Sequence, residues 1–340
     1  MPGESLLLET LPPLLQGKRV LFLSHARPDL DTLSSGMALS HLFSSLAHTT
    51  WGVSSPLDAL HEKQLHFFST LPSLISSLHD FDIVVCVDFR SPEQAGPLSA
   101  SLKTFSGKVI IFDHHSPSPN AFSRDVVSFI HSDEVATAQM VAELALSLHH
   151  AWSPAIASAL AAGIIADSAR FMVANPRTFF VFDSLLRVSG KTYEELFSLA
   201  APVPPVSNRV GIFHALKHAT FVSIDDHLLG SMIHSHQSSW VASALIQMGC
   251  DIGLSISYSP ERVYTSIRLS NTFHHDLDFD ATRVFSRIAS QHEGTTGGHP
   301  RAAQLNLPPY FSEQMILDSI LQEWLRLAKK KNPHARIKVH

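Results

Sequence analysis

The chain has 340 residues, 45% of them hydrophobic, and a formal net charge of −5. That length calls for roughly two domains, and the apolar fraction is enough to fill their cores, which excludes a disordered chain. The negative balance argues against a surface built to grip long nucleic acid nonspecifically, since such surfaces are strongly basic.

The N-terminal stretch MPGESLLLETLPPLLQ has no basic segment ahead of its leucines and carries two acids, so it does not read as a signal peptide. Residues 18–24 (KRVLFLS) form a short apolar run of strand length, as do 81–88 (FDIVVCVD) and 108–113 (KVIIFD). Helical stretches are expected at 34–46, 65–79 and 134–149. Continuous apolar strands alternating with helices imply a parallel sheet covered on both faces, and ligands of such sheets bind beyond the carboxyl ends of the strands.

The most apolar segment, 155–166, is broken by Ser158 and too short to cross a bilayer, so it reads as a buried helix. Cys86 and Cys250 lie far apart in apolar surroundings and read as free thiols. These features together favour a cytoplasmic protein without membrane attachment.

Three prolines fall within 202–205 and mark a linker, placed at 201–217 between a first domain (1–200) and a second (218–340). The second half shows strands at 219–223 and 228–234 and a helix at 239–249. A hairpin over 252–258 and 262–269 turns at Ser259-Pro260. A helix near 279–291, a Gly-rich loop and a helix at 311–330 follow. The expected architecture is α/β: a parallel-sheet N-terminal domain and a smaller α/β domain with a mixed sheet. The basic tail KKKNPHARIKVH reads as a solvated helix end with a short frayed extension.

The chemistry sits at the strand ends. After the first strand comes His25-Ala-Arg-Pro-Asp29-Leu-Asp31, after the second Asp88, after the third Asp113-His114-His115, and after the apolar helix Asp167. Each piece alone has a plain structural reading, such as Asp29 or Asp31 capping a helix. Their conjunction at one sheet edge is different, because converging carboxylates repel unless a cation joins them. Mixed oxygen and imidazole donors suit Mn²⁺, with Mg²⁺, Co²⁺ and Fe²⁺ as competitors. The supply is right for two ions sharing a carboxylate, a device that activates water against a phosphoryl group.

HisAlaArgProAspLeuAsp with Ser34-Ser35-Gly36 resembles motif I of the DHH superfamily of phosphoesterases. ValAspPheArgSer at 87–91 resembles motif II, Asp113-His114-His115 motif III, and AlaAspSerAlaArgPhe at 166–171 motif IV. Gly297-Gly298-His299-Pro-Arg-Ala-Ala resembles the signature of the DHH-associated C-terminal domain. The resemblance implies that His25 and Asp29 hold one Mn²⁺, that Asp31, His114 and Asp167 hold the other, and that Asp88 bridges them. It places His115 beside the substrate phosphate and makes Asp113 the group that orients the histidines. Arg268 matches a phosphate-facing arginine, and Gly297, Gly298 and His299 would complete the substrate contacts, read here as a Gly-rich loop entering a helix. Thr296 and Gln304 stand where the signature has glycine, and Ala166, Ser168 and Ala169 where motif IV commonly has Thr, Thr and Gly; none of these removes a metal ligand.

With nothing appended to the two domains, the chain resembles the oligoribonuclease and phosphoadenosine-phosphate phosphatase branch. The expected partner is therefore a short RNA or nucleotide, including linear dinucleotides and adenosine 3′,5′-bisphosphate, with no long-duplex binding. A pyrophosphatase or exopolyphosphatase is the alternative, and an inactive nucleotide-binding regulator a third. The oligomeric state stays open, a homodimer included.

Overall fold

The structure, a computed structural model, describes residues 10–57, 65, 68, 70–115, 122, 126–200, 206–234 and 239–340. It divides into two compact units, Met1–Val203 and Pro204–His340.

The first unit is built on β1 (Arg19–Ser24), β2 (His48–Val53), β3 (Ser73–Leu74), β4 (Ile83–Val87), β5 (Lys108–Asp113) and β6 (Val127–Ile130). They form one sheet in the order β3-β2-β1-β4-β5-β6, with every pairing parallel. The strands read as unbroken apolar runs because both faces are covered. Val20, Phe22, Val85, Ile110 and Phe112 face a core shared with α1 (Leu30–Leu42), α3 (Thr137–Ser147) and α4 (Pro154–Asp167). The alternate residues Leu21, Leu23, Val84, Cys86 and Val109 pack on the other side against a 3₁₀ segment (Pro92–Leu98) and α2 (Ser99–Lys103). α5 (Pro176–Ser189) and α6 (Tyr193–Ala200) complete the unit.

Strand succession runs outward from β1 to β3, then restarts on the other side at β4. The order of strand succession therefore reverses between β1 and β4, and at such a point the loops leaving neighbouring strands diverge and open a crevice.

Several elements differ from the sequence expectation. β2 and β6 lie outside the strands expected from sequence. The helix expected at 34–46 starts earlier, at Leu30, because Asp29 caps it. In 65–79 only 65, 68 and 70–79 are described, and there Ser73–Leu74 pair with Gly52–Val53 as a strand in place of a helix; Pro72 and the serines around it disfavour a helix.

The second unit holds α7 (Val206–Leu216), β7 (Thr220–Ile224), β8 (His227–Ile233), α8 (Ser239–Gln247), β9 (Ile252–Tyr258), β10 (Val263–Leu269), α9 (Asn271–Leu277), α10 (Ala281–Gln291), β11 (Thr295–His299), β12 (Ala302–Leu307), α11 (Glu313–Lys331) and β13 (Ile337–Val339). Its sheet has the order β11-β12-β10-β9-β8-β7-β13. Only β8 and β9 run parallel; the other pairings are antiparallel, so the sheet is mixed. The expected linker at 201–217 is helical over 206–216, past the last proline, and its first five residues lie outside the described ones.

The Gly-rich loop is itself a strand. Thr295–His299 pair with Ala302–Asn306 as a hairpin on the sheet edge, and the next element is β12, so these glycines do not enter a helix. Gly298 has φ +127°, and a Cβ there would stand 2.3 Å from the Ala302 carbonyl oxygen. The glycine thus serves the tight hairpin rather than a helix N-terminus.

Candidate metal centre

Three loops and one helix end meet over β1, β4 and β5. His25 follows β1, Asp88 follows β4, Asp113 closes β5 with His114 and His115 behind it, and Asp167 closes α4. Asp29 caps α1 by accepting the Thr32 backbone N–H at 3.1 Å, and Asp31 lies in its first turn. Thr32 Oγ1 donates to the Val87 carbonyl at 2.8 Å, which ties the start of α1 to the end of β4. Gly163 lets α4 approach closely: a Cβ there would lie 3.2 Å from Asp31 Cα and 2.6 Å from Ser34 Oγ. One turn later the same helix delivers Asp167.

These residues form two groups, with Asp88 of the first reaching toward the second. His25, Asp29 and Asp88 have donor atoms within 4.8 Å of one another, and so do Asp31, His114 and Asp167. Asp88 turns one oxygen to each side: Oδ2 lies 3.7 Å from His25 Nε2 and Oδ1 lies 3.6 Å from His114 Nε2. Its backbone has φ +64°, a left-handed conformation uncommon outside glycine, and its N–H donates to the Phe112 carbonyl at 2.8 Å. Strain of this kind persists where the surroundings hold it, and here it aims the carboxylate between the groups. His115 forms a third group with Asp88 and His114. Its Nδ1 lies 2.7 Å from Asp113 Oδ1 and its ring is about one-third exposed, the more open of the two histidines.

The electrostatics call for a cation. Burial, reinforced by the charges of neighbouring acids, pushes Asp31 up to about 8 and Asp88 well above the ordinary carboxylate range. Burial holds His25 below the usual histidine value. In His114 burial is outweighed by Asp167 and Asp31, which push it up to about 9. Asp167 sits at the C-terminal end of α4, where the helix dipole disfavours an anion.

One buried atom decides whether these residues fit a metal. His114 Nδ1 lies 3.2 Å from the Glu134 carbonyl oxygen, which can only accept, so Nδ1 keeps its proton and Nε2 is the nitrogen whose proton an ion would displace. Nε2 is buried and makes no hydrogen bond, although carboxylate oxygens of Asp167, Asp88 and Asp31 surround it at 3.1, 3.6 and 3.9 Å. A ring nitrogen stripped of its hydrogen bond and facing three acids fits a divalent ion with mixed oxygen and imidazole donors.

Other residues that serve the centre escaped the sequence reading. Asp31 accepts the backbone N–H groups of Thr137 and Ala138, each at 2.7 Å, at the first turn of α3. Thr137 Oγ1 donates to Asp88 Oδ1 at 2.8 Å. Arg90 sets Nε 3.7 Å from the otherwise unbonded Asp113 Oδ2, and its Nη1 donates to the His115 carbonyl at 2.8 Å. Only Arg90 left a signal in sequence, two residues beyond a strand-end aspartate.

In the second unit, Arg268, Gly297 and Gly298 line one shallow cleft together with Thr295, Thr296, Gln304 and Asn306. Burial holds the Arg268 guanidinium below its ordinary value. It donates to the Ile267 carbonyl at 3.1 Å, and no carboxylate among the described residues forms an ion pair with it. The His299 side chain lies outside the described ones. No described helix is long and apolar enough to cross a membrane.

Residues 19–164 match the DHH family, N-terminal domain. An uncharacterized protein of Methanocaldococcus jannaschii is 23% identical over 331 residues, covering 93% of this chain and 95% of that protein. An exopolyphosphatase-related protein from Bacteroides fragilis has a similar structure, with a TM-score of 0.72 at 16% identity, covering 98% of this chain and 97% of the other. The last likeness concerns the fold and spans both units.

Proposed function

We propose that this protein, a member of the DHH superfamily through its first unit, is a Mn²⁺-dependent phosphoesterase acting on short oligoribonucleotides or linear dinucleotides. The observation that carries the reading is the pair of donor groups joined by Asp88 at the β1–β4 crevice, with His114 Nε2 aimed into it. His25, Asp29 and Asp88 would hold one ion, and Asp31, His114, Asp167 and Asp88 the other. A pair of divalent ions supplies an acidified water and charge stabilisation at the phosphoryl oxygens.

The chain's own residues do the rest. Asp88 keeps the two halves at one distance because Thr137 and its own backbone hold it fixed. Asp113 stays ionised: burial alone would raise it, but the hydrogen bond and charge of His115 hold it below the usual range. It therefore orients His115, whose Nε2 end is left to carry a proton toward the leaving oxygen. Arg90 braces that pair from behind.

The cleft in the second unit supports a nucleotide over a polyphosphate. Among the described side chains its lining offers one guanidinium and four neutral polar groups, Thr295, Thr296, Gln304 and Asn306. One cation with several amide and hydroxyl groups suits one phosphate plus a sugar or base. A chain of phosphates would call for several cations. The inorganic pyrophosphatase or exopolyphosphatase reading shares the same metal chemistry and is the competitor; a regulator without activity is the weakest, since every ligand position is filled.

The test is hydrolysis of an RNA dinucleotide, an RNA five-mer, adenosine 3′,5′-bisphosphate and pyrophosphate. Each runs with Mn²⁺, Mg²⁺, Co²⁺ or chelator, beside Asp88→Ala. Dinucleotide turnover with Mn²⁺ that falls roughly 10³-fold or more in Asp88→Ala is the expected result. Turnover of pyrophosphate alone would replace the reading with its competitor. Absence of any turnover would leave a binding protein.

A further inference from the structure

Behind His114, on the side away from the crevice, lies a compact charged network that the proposed chemistry does not use. Glu134, in the bend between β6 and α3, is buried, and Glu143 on α3 is nearly so. Two acids shielded from water at one place would repel. Arg177, at the start of α5, answers both: Nη1 lies 3.3 Å from Glu134 Oε1 and Nη2 lies 2.6 Å from Glu143 Oε2. Gln139 Nε2 donates to both carboxylates as well, at 3.1 Å to Glu143 Oε1 and in a closer contact to Glu134 Oε2.

Glu134 has a second role through its backbone. Its carbonyl accepts the hydrogen bond of the His114 Nδ1–H and so decides which ring nitrogen faces the acids. The residue lies in no strand or helix, and its backbone N–H donates to the His131 carbonyl in a turn at 3.0 Å. The side-chain network is what anchors it. Arg177 also sits at the far end of the segment that leaves Asp167. That segment passes through three successive left-handed residues, Ala169, Arg170 and Phe171, and ends at Asn175, whose side chain caps α5 by accepting from the Arg177 and Thr178 N–H groups. One arginine is therefore attached to the loop that orients His114 and to the helix that receives the chain after Asp167.

We propose that Arg177 is a positioning residue for the half of the centre formed by Asp31, His114 and Asp167, acting through Glu134 and Glu143. The inference rests on the metal-centre reading above. It carries a consequence that a merely structural ion pair would not: loss of Arg177 weakens the ion of Asp31, His114 and Asp167 far more than the other, because His25 and Asp29 have no link to this network among the described contacts and the other ion meets its segment only through Asp88 and Thr137. Arg177→Lys retains a point charge that can face one carboxylate but not fork between two, so it restores the effect in part.

The experiment is calorimetric titration of the full-length protein with Mn²⁺, using wild type, Arg177→Met, Arg177→Lys and Glu143→Gln, with thermal melting of each metal-free protein. The expected result is two ions bound by wild type, and one of them weakened about 10–100-fold in Arg177→Met. Arg177→Lys and Glu143→Gln should lie between, and excess Mn²⁺ should restore turnover. Should Arg177→Met prove too unstable to titrate, Glu143→Gln keeps the Arg177–Glu134 pair and carries the test. Wild-type affinity at both sites in the folded variants, or equal weakening of both, would overturn the inference while leaving the metal centre in place. Failure of wild type to bind any Mn²⁺ would instead overturn the metal-centre reading, and this one with it.

Discussion

The Asp31 carboxylate accepts the backbone N–H of Thr137 at 2.7 Å, a contact between residues 106 positions apart. It places a fully buried acid on the amino end of α3, where the helix dipole and free N–H groups favour an anion. That support is incomplete, since burial and neighbouring charge still push the group up to about 8. A divalent ion would complete it. Mn²⁺ at about 100 times its dissociation constant should stabilise the protein by about 2.7 kcal/mol, a rise of roughly 5–10 °C in Tm for a unit of this size. Differential scanning fluorimetry with Mn²⁺ and then with chelator checks it; a melting curve indifferent to both would contradict the electrostatic argument.

His115 should matter to turnover and not to ion binding. Its ring is held by Asp113 at 2.7 Å and is more exposed than that of His114. His115→Gln should lower kcat by about 10²–10⁴-fold, the span of a lost acid–base group, with Mn²⁺ stoichiometry unchanged. Asp113→Asn should follow it in rate, since the amide presents the wrong group to the imidazole. Steady-state kinetics beside calorimetry separates the two roles, and loss of an ion in His115→Gln would make that residue a ligand instead.

Ala169 has φ +49°, in a run of three left-handed residues beyond Asp167. Left-handed geometry costs an L-residue about 1–2 kcal/mol, while glycine adds about 0.5–1 kcal/mol of unfolded-state entropy. Ala169→Gly should therefore stabilise the protein by about 0.5–1 kcal/mol, reversing the usual sign of an Ala-to-Gly change. Urea denaturation measures it. Destabilisation would mean the Ala169 methyl makes contacts that outweigh the strain.

Glu323 on α11 is bracketed by Arg326, at 2.6 and 3.0 Å, and by Arg287 on α10, at 3.3 Å. The hydrogen bonds from Arg326 chiefly, then those from Arg287, overcome burial and hold the carboxyl down to about 2. The folded value lies below the unfolded one, so the contribution is complete above the unfolded carboxyl range and fades as pH falls toward 2. Glu323→Gln should cost the second unit about 1–2 kcal/mol at pH 7, and the gap from wild type should narrow between pH 4.5 and 2. Denaturation across that range is the measurement; a gap independent of pH would point to packing in place of charge.

Much of the centre was legible before any coordinates. A run such as IVVCV at 83–87 is apolar throughout because both faces of its strand are covered, and the first polar residue after it then falls at the carboxyl edge of the sheet. That logic located His25, Asp88 and Asp113 through His115, and the buried helix ending in Asp167 worked the same way. It failed where local pattern and tertiary pairing disagree. Thr295–His299 look like a loop by composition and become an edge strand because β12 returns alongside.

Sequence alone determined which side chains reach the crevice, since chain order and strand period dictate which residues leave the sheet at its carboxyl edge. What state those side chains hold was decided only by tertiary structure. The His114 proton is assigned by a carbonyl 20 residues away, the Asp31 charge by amides 106 and 107 residues away, and the pitch of Asp88 by Thr137, 49 residues on. Such contacts follow no sequence period, because they arise between elements brought together by packing of the sheet and its helices.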